Sequence, residues 1–213
     1  MIIAWLASAP YGMLMARYYK QTWISVKPFG KDLWFRVHQV CMGLGVILTF
    51  LSFFIMLAVK KGAPFDPEAL RINPHAAVGV ACVAGAGVQP IMAYFRPHPG
   101  AKNRWIFNWA HWLIGNVTFF LAIAAIFLSI DLPGVGLPVW MTVAMIGYVL
   151  ILAVAHLVLM FQRWHDALKP DELKSPEELN LGGLVRKVVA VIAVIFVWTF
   201  CIASCVVILL KIK

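Results

Sequence analysis

Six long apolar segments, separated by short polar connections, make up most of the chain. They lie at about residues 2–15, 34–59, 75–94, 106–130, 138–161 and 188–210. Each of the last five reaches the roughly 20 residues that a helix needs to cross the apolar core of a bilayer. The pattern therefore predicts an all-α polytopic membrane protein with six transmembrane helices, folded as a single transmembrane domain over residues 1–213.

The first apolar segment is the shortest of the six. No basic stretch precedes it and no small-residue cleavage site follows it, so it does not resemble a signal peptide. We interpret it as a helix whose upstream part is missing or brief. We therefore expect the chain to be a fragment of a longer protein or a short isoform.

The composition agrees with a membrane protein. Apolar residues make up 62% of the chain and charged residues only 13%, against about a quarter charged in soluble domains, and the mean hydropathy is +0.86. The net charge is +9, but the basic residues stand in short connections, so we do not expect a nucleic-acid partner. The four cysteines lie inside apolar segments without Cys-x-x-Cys spacing, which indicates neither a disulfide framework nor a zinc site.

The distribution of basic residues predicts the orientation in the membrane. Thirteen Lys and Arg residues lie around the first, third and fifth connections, and five lie on the other side. Cytoplasmic connections are enriched in these residues. We therefore expect the odd-numbered connections to be cytosolic and the N-terminus to lie outside, in the plasma membrane or an endomembrane.

Four of the six histidines stand inside or at the ends of four consecutive apolar segments, the second to the fifth: His38, His75, His111 and His156. Ionisable groups at membrane depth are costly, so each is a candidate functional residue. The alternative for each one is a plain hydrogen bond between helices. The other two histidines, His98 and His165, fall in polar inner stretches, where we expect them to be solvated.

The spacing around these histidines favours haem. A glycine follows four residues after His75 and again after His111, at Gly79 and Gly115. Residues four apart share one face of a helix, and the missing Cβ allows a flat macrocycle to approach the backbone. Because successive helices run antiparallel, His38 and His111 share the inner layer, and two imidazoles on facing helices can ligate one iron axially.

His75 lies in the outer layer and needs another partner. His156 stands fifteen residues after Met141, which is about 22 Å along a helix, so it lies too deep to share an iron with His75. The thioether of Met141, or of Met145 one turn further, is the candidate, although methionine is also common as packing material. For His156 we expect a hydrogen-bonding position beside the inner haem.

Several short motifs follow one another in a fixed order along the chain. These are Ala16-Arg17-Tyr18, Trp34-Phe35-Arg36-Val37-His38, Val88-Gln89-Pro90, Arg96-Pro97 and Arg104-Trp105-Ile106-Phe107-Asn108-Trp109-Ala110-His111. With its antiparallel helices and early histidines, the sequence resembles the cytochrome b-561 family of ascorbate-reducible di-haem membrane proteins. More narrowly, the motifs resemble the DOMON-containing branch, which includes the ferric-chelate reductase or stromal cell-derived receptor proteins. The resemblance covers essentially the whole chain.

The resemblance implies a four-helix core, from the second to the fifth helix, that holds two b haems. It implies ligation by His38 with His111, and by His75 with a residue of the fifth helix. In the family that last residue is a histidine near the start of the helix, whereas Met141 occupies the matching position here. The resemblance also implies a DOMON domain outside the membrane, before residue 1.

The expected function is that of an ascorbate-dependent transmembrane oxidoreductase. Electrons from cytosolic ascorbate would reach an acceptor outside, either ferric chelate or monodehydroascorbate. Arg36 and Arg104 are candidates to pair with haem propionates. Lys31, Lys102 and Arg96 are candidates to attract the ascorbate anion, although the positive-inside rule accounts for many of these cations without a substrate.

Two other classes of function remain open. One is a haem-poor membrane adaptor, associated with a receptor, that retains the fold; the pair His38 and His111 argues against it. The other is a histidine-relay transporter of protons or metal ions. Such a transporter needs acidic residues inside the membrane, and none of the nine acidic residues falls in the middle of a predicted helix.

Overall fold

The computed structural model describes residues 1–23, 25–59, 67–130, 132, 135–168 and 176–211. These residues form helices and no strands, which confirms the all-α class. A six-residue π-helical segment, Ile3–Ser8, leads into α1, and a single 3₁₀ turn, Pro28–Gly30, precedes α2. The α-helices are α1 (Ala9–Tyr18), α2 (Leu33–Val59), α3 (Pro67–Ile72), α4 (Pro74–Tyr94), α5 (Arg104–Leu128), α6 (Val139–Leu168) and α7 (Pro176–Lys211).

Five of the helices are long and apolar enough to cross a membrane: α2, α4, α5, α6 and α7. The qualifying part of α6 is Val139–His165, and that of α7 is Arg186–Leu210. In the apolar 18-residue stretch that qualifies each of these helices as a span, at most 22% of the residues are buried inside the protein. Most of their apolar side chains face outward, as lipid contact requires. The chain is an integral, multi-pass membrane protein.

The first predicted helix is present but short. It consists of the π-helical segment Ile3–Ser8 and of α1, which ends at Tyr18. A π-helix has one more residue in each hydrogen-bonded turn than an α-helix. No pattern in the sequence predicted this geometry. Six helical segments therefore occupy the six predicted positions, and the last five of them have the length and composition of a membrane span.

Two predicted boundaries differ from the structure by more than a few residues. α6 continues to Leu168 instead of ending near 161, and α7 begins at Pro176 instead of near 188. The apolar run marks where the chain is in lipid, whereas a helix can continue beyond that run into the polar connection. Pro176 marks the start of α7, since proline is favoured in the first turn of a helix.

α3 was not predicted, because the few apolar residues between the second and third apolar segments form no run long enough to indicate a helix. It is one and a half turns long, from Pro67 to Ile72, and an exposed ion pair joins Glu68 to Arg71 at 2.8 Å. The parts of the predicted connections at 24, 60–66, 131, 133–134 and 169–175 lie outside the described residues.

The chain divides into two compact units. The first contains Met1–Trp5 and Leu44–Leu137, and the second contains Leu6–Gly43 and Pro138–Lys213. In the first unit α4 packs along α5, and Gly85 makes this possible, because a Cβ there would lie 2.2 Å from Oγ1 of Thr118. In the same unit the Trp5 indole donates a hydrogen bond to the Thr49 hydroxyl at 2.9 Å.

In the second unit α1 contacts α6 and α7. A buried cluster there contains residues from all three helices: Leu14, Met15, Tyr18, Tyr19, Leu159 and Ala190. The ring of Tyr148 on α6 stacks against Phe196 and Phe200 of α7, and its hydroxyl donates to the carbonyl of Leu6. α1 is therefore an integral part of this unit.

Candidate functional site

His38 stands in the second turn of α2 and is partly buried. Its Nδ1 lies 3.0 Å from the carbonyl oxygen of Gly12 on α1. A carbonyl oxygen only accepts hydrogen bonds, so Nδ1 must carry the proton. In the neutral imidazole the lone pair is then on Nε2, which is the nitrogen that would bind a metal.

His75 has the same arrangement on another pair of helices. It is the second residue of α4, in a first turn that Asn73 caps by accepting a hydrogen bond from the Ala76 amide at 3.3 Å. Its Nδ1 lies 2.9 Å from the carbonyl oxygen of Ala125 on α5. The tautomer is again fixed, with the lone pair of the neutral ring on Nε2.

His111 lies on α5, and its ring stacks on that of Phe107, with 5.3 Å between the centroids and 13° between the planes. The Gln89 amide donates to the backbone carbonyl of His111 at 3.1 Å. A Cβ at Gly115 would lie 3.3 Å from Nε2 of this glutamine, so the glycine one turn after His111 makes room for Gln89. By contrast, a Cβ at Gly79 would meet none of the described atoms within 4 Å.

Met141 and Met145 are both buried in α6, each with 1% of its surface exposed. Met141 and Tyr148 are seven residues apart and so share one face of the helix. Tyr148 contacts α7 and Leu6 within the second unit. The candidate thioether ligands therefore lie on the same face of α6 as a residue that packs inside this unit.

His156 makes a hydrogen bond, as the sequence predicted. Its Nε2 lies 3.0 Å from the hydroxyl of Tyr18, and the two rings meet edge to face with centroids 5.1 Å apart. The same hydroxyl lies 3.2 Å from the backbone carbonyl of His156. The carbonyl can only accept, so the hydroxyl is its donor, and the same hydroxyl oxygen lies within hydrogen-bond distance of Nε2.

Arg36 holds the turn before α2. Its guanidinium donates to the carbonyls of Pro28 and Phe29 at 3.3 and 3.1 Å, and to the Gln39 side chain at 3.3 Å. Phe29 and Gly30 both have left-handed backbones, with φ of 53° and 72°. The strain of a non-glycine residue in that conformation is offset by these hydrogen bonds, so Arg36 stabilises the turn.

Arg104 lies over the ring of Phe107, with 5.1 Å from its guanidinium carbon to the ring centroid. It also donates to the Asn108 side chain at 3.1 Å and to the carbonyl of Pro97. Because Phe107 stacks on His111, a guanidinium, a benzene ring and an imidazole follow one another along α5.

The three remaining cationic candidates lie outside the spans. Burial, together with the positive charge of Arg104, lowers the pKa of Arg96 from its ordinary value. The side chains of Lys31 and Lys102 are exposed. Arg96 and Arg104 therefore concentrate positive charge at one end of α4 and α5, with Lys102 in the same connection.

The donor chemistry of these residues fits a haem iron. Histidine ligands to metals usually donate their second ring nitrogen to a backbone carbonyl or a carboxylate, which orients the ring and strengthens the ligand. His38 and His75 both do so. Imidazole and thioether are both axial ligands of haem in proteins. His75 and His111 belong to the first unit, and His38 and Met141 to the second.

Sequence reasoning did not find the two carbonyl acceptors. The oxygens of Gly12 and Ala125 are backbone atoms, and no side chain marks a backbone acceptor. Gln89 belongs to a motif used for the resemblance, but its hydrogen bond to the His111 carbonyl could not be read from that motif. Tyr18 was likewise part of a motif without an assigned partner, and it contacts His156 from 138 positions away.

Comparisons with known proteins agree with this chemistry. The family model described as eukaryotic cytochrome b561 matches residues 1–133, a range that includes His38, His75 and His111 and ends before Met141. A putative ferric-chelate reductase 1 homolog of Drosophila melanogaster is 36% identical over 158 residues, which are 74% of this chain and 23% of that protein. Ferric-chelate reductase 1 of Homo sapiens is 35% identical over 70% of this chain and 24% of its own length.

A more distant relative is a cytochrome b561, DM13 and DOMON domain-containing protein of Arabidopsis thaliana. It is 26% identical over 60% of this chain and 13% of its own length. The chain thus spans about a quarter of the length of the ferric-chelate reductases that it matches. No solved structure matches the chain.

Proposed function

Because the chain belongs to the eukaryotic cytochrome b561 family, we propose that it transfers electrons across a membrane, from cytosolic ascorbate to an acceptor outside. The acceptor is ferric chelate, which is reduced to the ferrous form, or monodehydroascorbate, which is reduced to ascorbate. Each electron that crosses oxidises one ascorbate to monodehydroascorbate. The cofactors that we propose are two b haems, and a bound b haem supplies a reversible one-electron couple.

The observation that carries this proposal is the hydrogen bonding of two imidazoles through Nδ1. His38 and His75 each have Nδ1 within 3.0 Å of a backbone carbonyl. Such a bond holds the proton on Nδ1, orients the ring and makes Nε2 a stronger electron donor. Both rings carry the lone pair on the same nitrogen, Nε2, as histidine ligands with a second-nitrogen hydrogen bond do in metal sites.

We propose that His38 and His111 ligate the inner haem, and that His75 and Met141 ligate the outer one. Met145 is the second candidate for the last position, because it lies one turn from Met141 and is equally buried. Arg104, over the ring of Phe107 beside His111, is the proposed partner of a propionate. Arg36 would add positive charge near His38, while its hydrogen bonds hold the turn at Pro28–Gly30.

The cationic residues at the connections would serve the donor. Ascorbate is an anion at neutral pH, and a positive surface raises its local concentration and its rate of encounter. Lys102 and Arg96 stand in the connection before α5, and Lys31 stands before α2. The proposed orientation places both connections in the cytosol, in agreement with their content of basic residues.

A DOMON domain before residue 1 is a further proposed partner. The name of the Arabidopsis relative carries both the cytochrome b561 and the DOMON domain. A domain outside the membrane would stand on the acceptor side in the proposed orientation.

The test is a haem-to-protein ratio and a reduced-minus-oxidised spectrum of the purified chain in lipid nanodiscs. We expect two b haems per chain, both reducible by ascorbate. Dithionite, which reduces any accessible haem, is the control for completeness of reduction. A chain that folds but binds no haem would contradict the proposal and favour the haem-poor adaptor.

A further inference from the structure

Gly12 marks a close approach between α1 and the start of α2. A Cβ atom at this position would lie 2.8 Å from the Cβ of Cys41 and 2.6 Å from the Cε of Met42. The end of a methionine side chain can move, but a Cβ is fixed to its own helix backbone. Glycine therefore allows the two helices to pack at this distance, as small residues do between membrane helices.

The same residue supplies the acceptor for His38. The carbonyl oxygen of Gly12 lies 3.0 Å from Nδ1 of that imidazole. Gly12 thus has two effects. Its missing side chain lets α1 and α2 pack closely, and its carbonyl oxygen accepts the hydrogen bond from His38. A side chain at residue 12 would disturb both together.

Ser8 fixes the register of this contact. It is fully buried and lies four residues before Gly12. Its hydroxyl donates to the carbonyl of Cys41 at 2.8 Å. α1 is therefore held against α2 by a hydrogen bond on one side of Gly12, and the position of the Gly12 carbonyl is determined by packing.

We propose that Gly12 is a positioning residue that sets the orientation and electron-donor strength of the haem ligand His38. This inference rests on the proposed haem function. The Nδ1–H···O bond to Gly12 gives the ring a partial imidazolate character, which stabilises ferric over ferrous iron. The first helix, which the resemblance places beside the four-helix core and outside it, thereby adjusts the redox equilibrium of the inner haem.

The test compares wild type with Gly12→Ala and Gly147→Ala in nanodiscs. The added methyl group at residue 12 should push α1 away from α2 and lengthen the hydrogen bond to His38. We expect the ferric–ferrous equilibrium of one haem to shift toward ferrous by about tenfold, which is about 59 mV for a one-electron couple. Gly147 is the matched control, a helical glycine of the same unit whose added Cβ would meet none of the described atoms within 4 Å.

Two further measurements separate positioning from a general loss of structure. The low-spin ferric EPR signal of the affected haem should change, and that haem should be the one lost in His38→Ala. Adding Cys41→Gly to Gly12→Ala removes the fixed Cβ that the methyl group would meet. This double variant should move the potential and the EPR signal back toward wild type.

The outcomes distinguish this inference from the function on which it rests. If the wild-type chain binds no haem, the proposed function fails. If Gly12→Ala binds haem with unchanged potential and EPR signal, or if Gly147→Ala shifts the potential equally, the proposed function survives and this inference is wrong. Should Gly12→Ala fail to accumulate, Ser8→Ala takes its place, and an unchanged potential in that variant overturns the inference.

Discussion

The hydroxyl of Tyr18 on α1 lies 3.0 Å from Nε2 of His156 on α6. The pair is partly buried, and Tyr18 itself has only 5% of its surface exposed. Most haem-ligating histidines bind iron through Nε2. In His156 this nitrogen is hydrogen-bonded to a tyrosine of the same unit. This relationship distinguishes His156 from His38 and His75, whose Nδ1 atoms are the ones that are hydrogen-bonded.

We therefore expect His156→Ala to retain both haems, whereas His111→Ala should lose the inner one. The reason is that His111 is a proposed ligand and His156 a hydrogen-bonding partner of Tyr18. Haem content by pyridine haemochrome, divided by protein mass, measures both. Tyr18→Phe is the matched control for His156, since it removes the same hydrogen bond without removing the imidazole. A loss of one haem in His156→Ala but not in Tyr18→Phe would identify His156 as a ligand after all.

A second prediction concerns the packing of the first unit. Gly85→Ala should destabilise the contact between α4 and α5, because its Cβ would lie 2.2 Å from Oγ1 and 3.1 Å from Cβ of Thr118. Overpacking of this kind costs about 1–3 kcal/mol. Thermal unfolding in detergent, followed by loss of helical circular dichroism, should show a lowered Tm.

The matched variants isolate the steric cause. Gly147→Ala places the same methyl group in open space and should leave the Tm near that of wild type. Thr118→Ala in the Gly85→Ala background removes the closest atom and should recover most of the loss. An unchanged Tm in Gly85→Ala alone would mean that the two helices are not held as closely as the structure shows.

The sequence predicted the long helices well because lipid imposes the pattern. The predicted start of the second segment, at 34, is one residue from that of α2, and the predicted start of the third, at 75, is one residue from that of α4. A run of apolar residues is required wherever the helix is in hydrocarbon, so its limits can be read from residue types. The C-terminal end of α6 and the start of α7 could not be read this way, because helices continue into water without an apolar pattern.

The candidate site was predictable only as far as side chains reveal it. The histidines stand out, since ionisable residues are rare in apolar segments. The carbonyls of Gly12 and Ala125 do not, since every residue has a carbonyl and only the packing of helices selects one. The proposed role of Gly12 depends on its distances to Cys41 and Met42, and no sequence pattern in α1 reveals these distances.

A third prediction concerns the entry of electrons from ascorbate. Lys102→Gln and Arg104→Gln should slow reduction by ascorbate by roughly tenfold at low ionic strength, because each removes positive charge that attracts the anion. Reduction by a neutral reagent should change much less. Stopped-flow absorbance at the haem α-band measures both rates, and added salt should diminish the difference.

Lys102 and Arg104 differ in whether their side chains are bonded to other residues. Lys102 is exposed, whereas Arg104 is bonded to Asn108 and Pro97 and lies over Phe107. Lys102→Gln is therefore the cleaner test of charge. Equal slowing with ascorbate and with the neutral reagent would assign the residue to folding or haem retention.

The last prediction concerns the ligand of the outer haem. We expect this haem to be ligated by His75 and Met141, because Met141 occupies the position that the resemblance assigns to a ligand and is fully buried. Thioether ligation raises the potential of a haem above that of a bis-imidazole haem. The outer haem should therefore be the easier of the two to reduce, which makes electron transfer from the inner to the outer side favourable.

Substitutions at Met141 give opposite outcomes for a ligand and for a packing residue. If Met141 is a ligand, Met141→His should retain the haem and lower its potential, and Met141→Ala should weaken haem binding. Met145→Ala is the matched control, because Met145 lies one turn away and is equally buried. This variant should leave the potential of the outer haem unchanged. A mere packing role predicts that the two alanine variants lower the Tm alike and leave both haem potentials unchanged. Redox titration with EPR of these variants decides between the two roles.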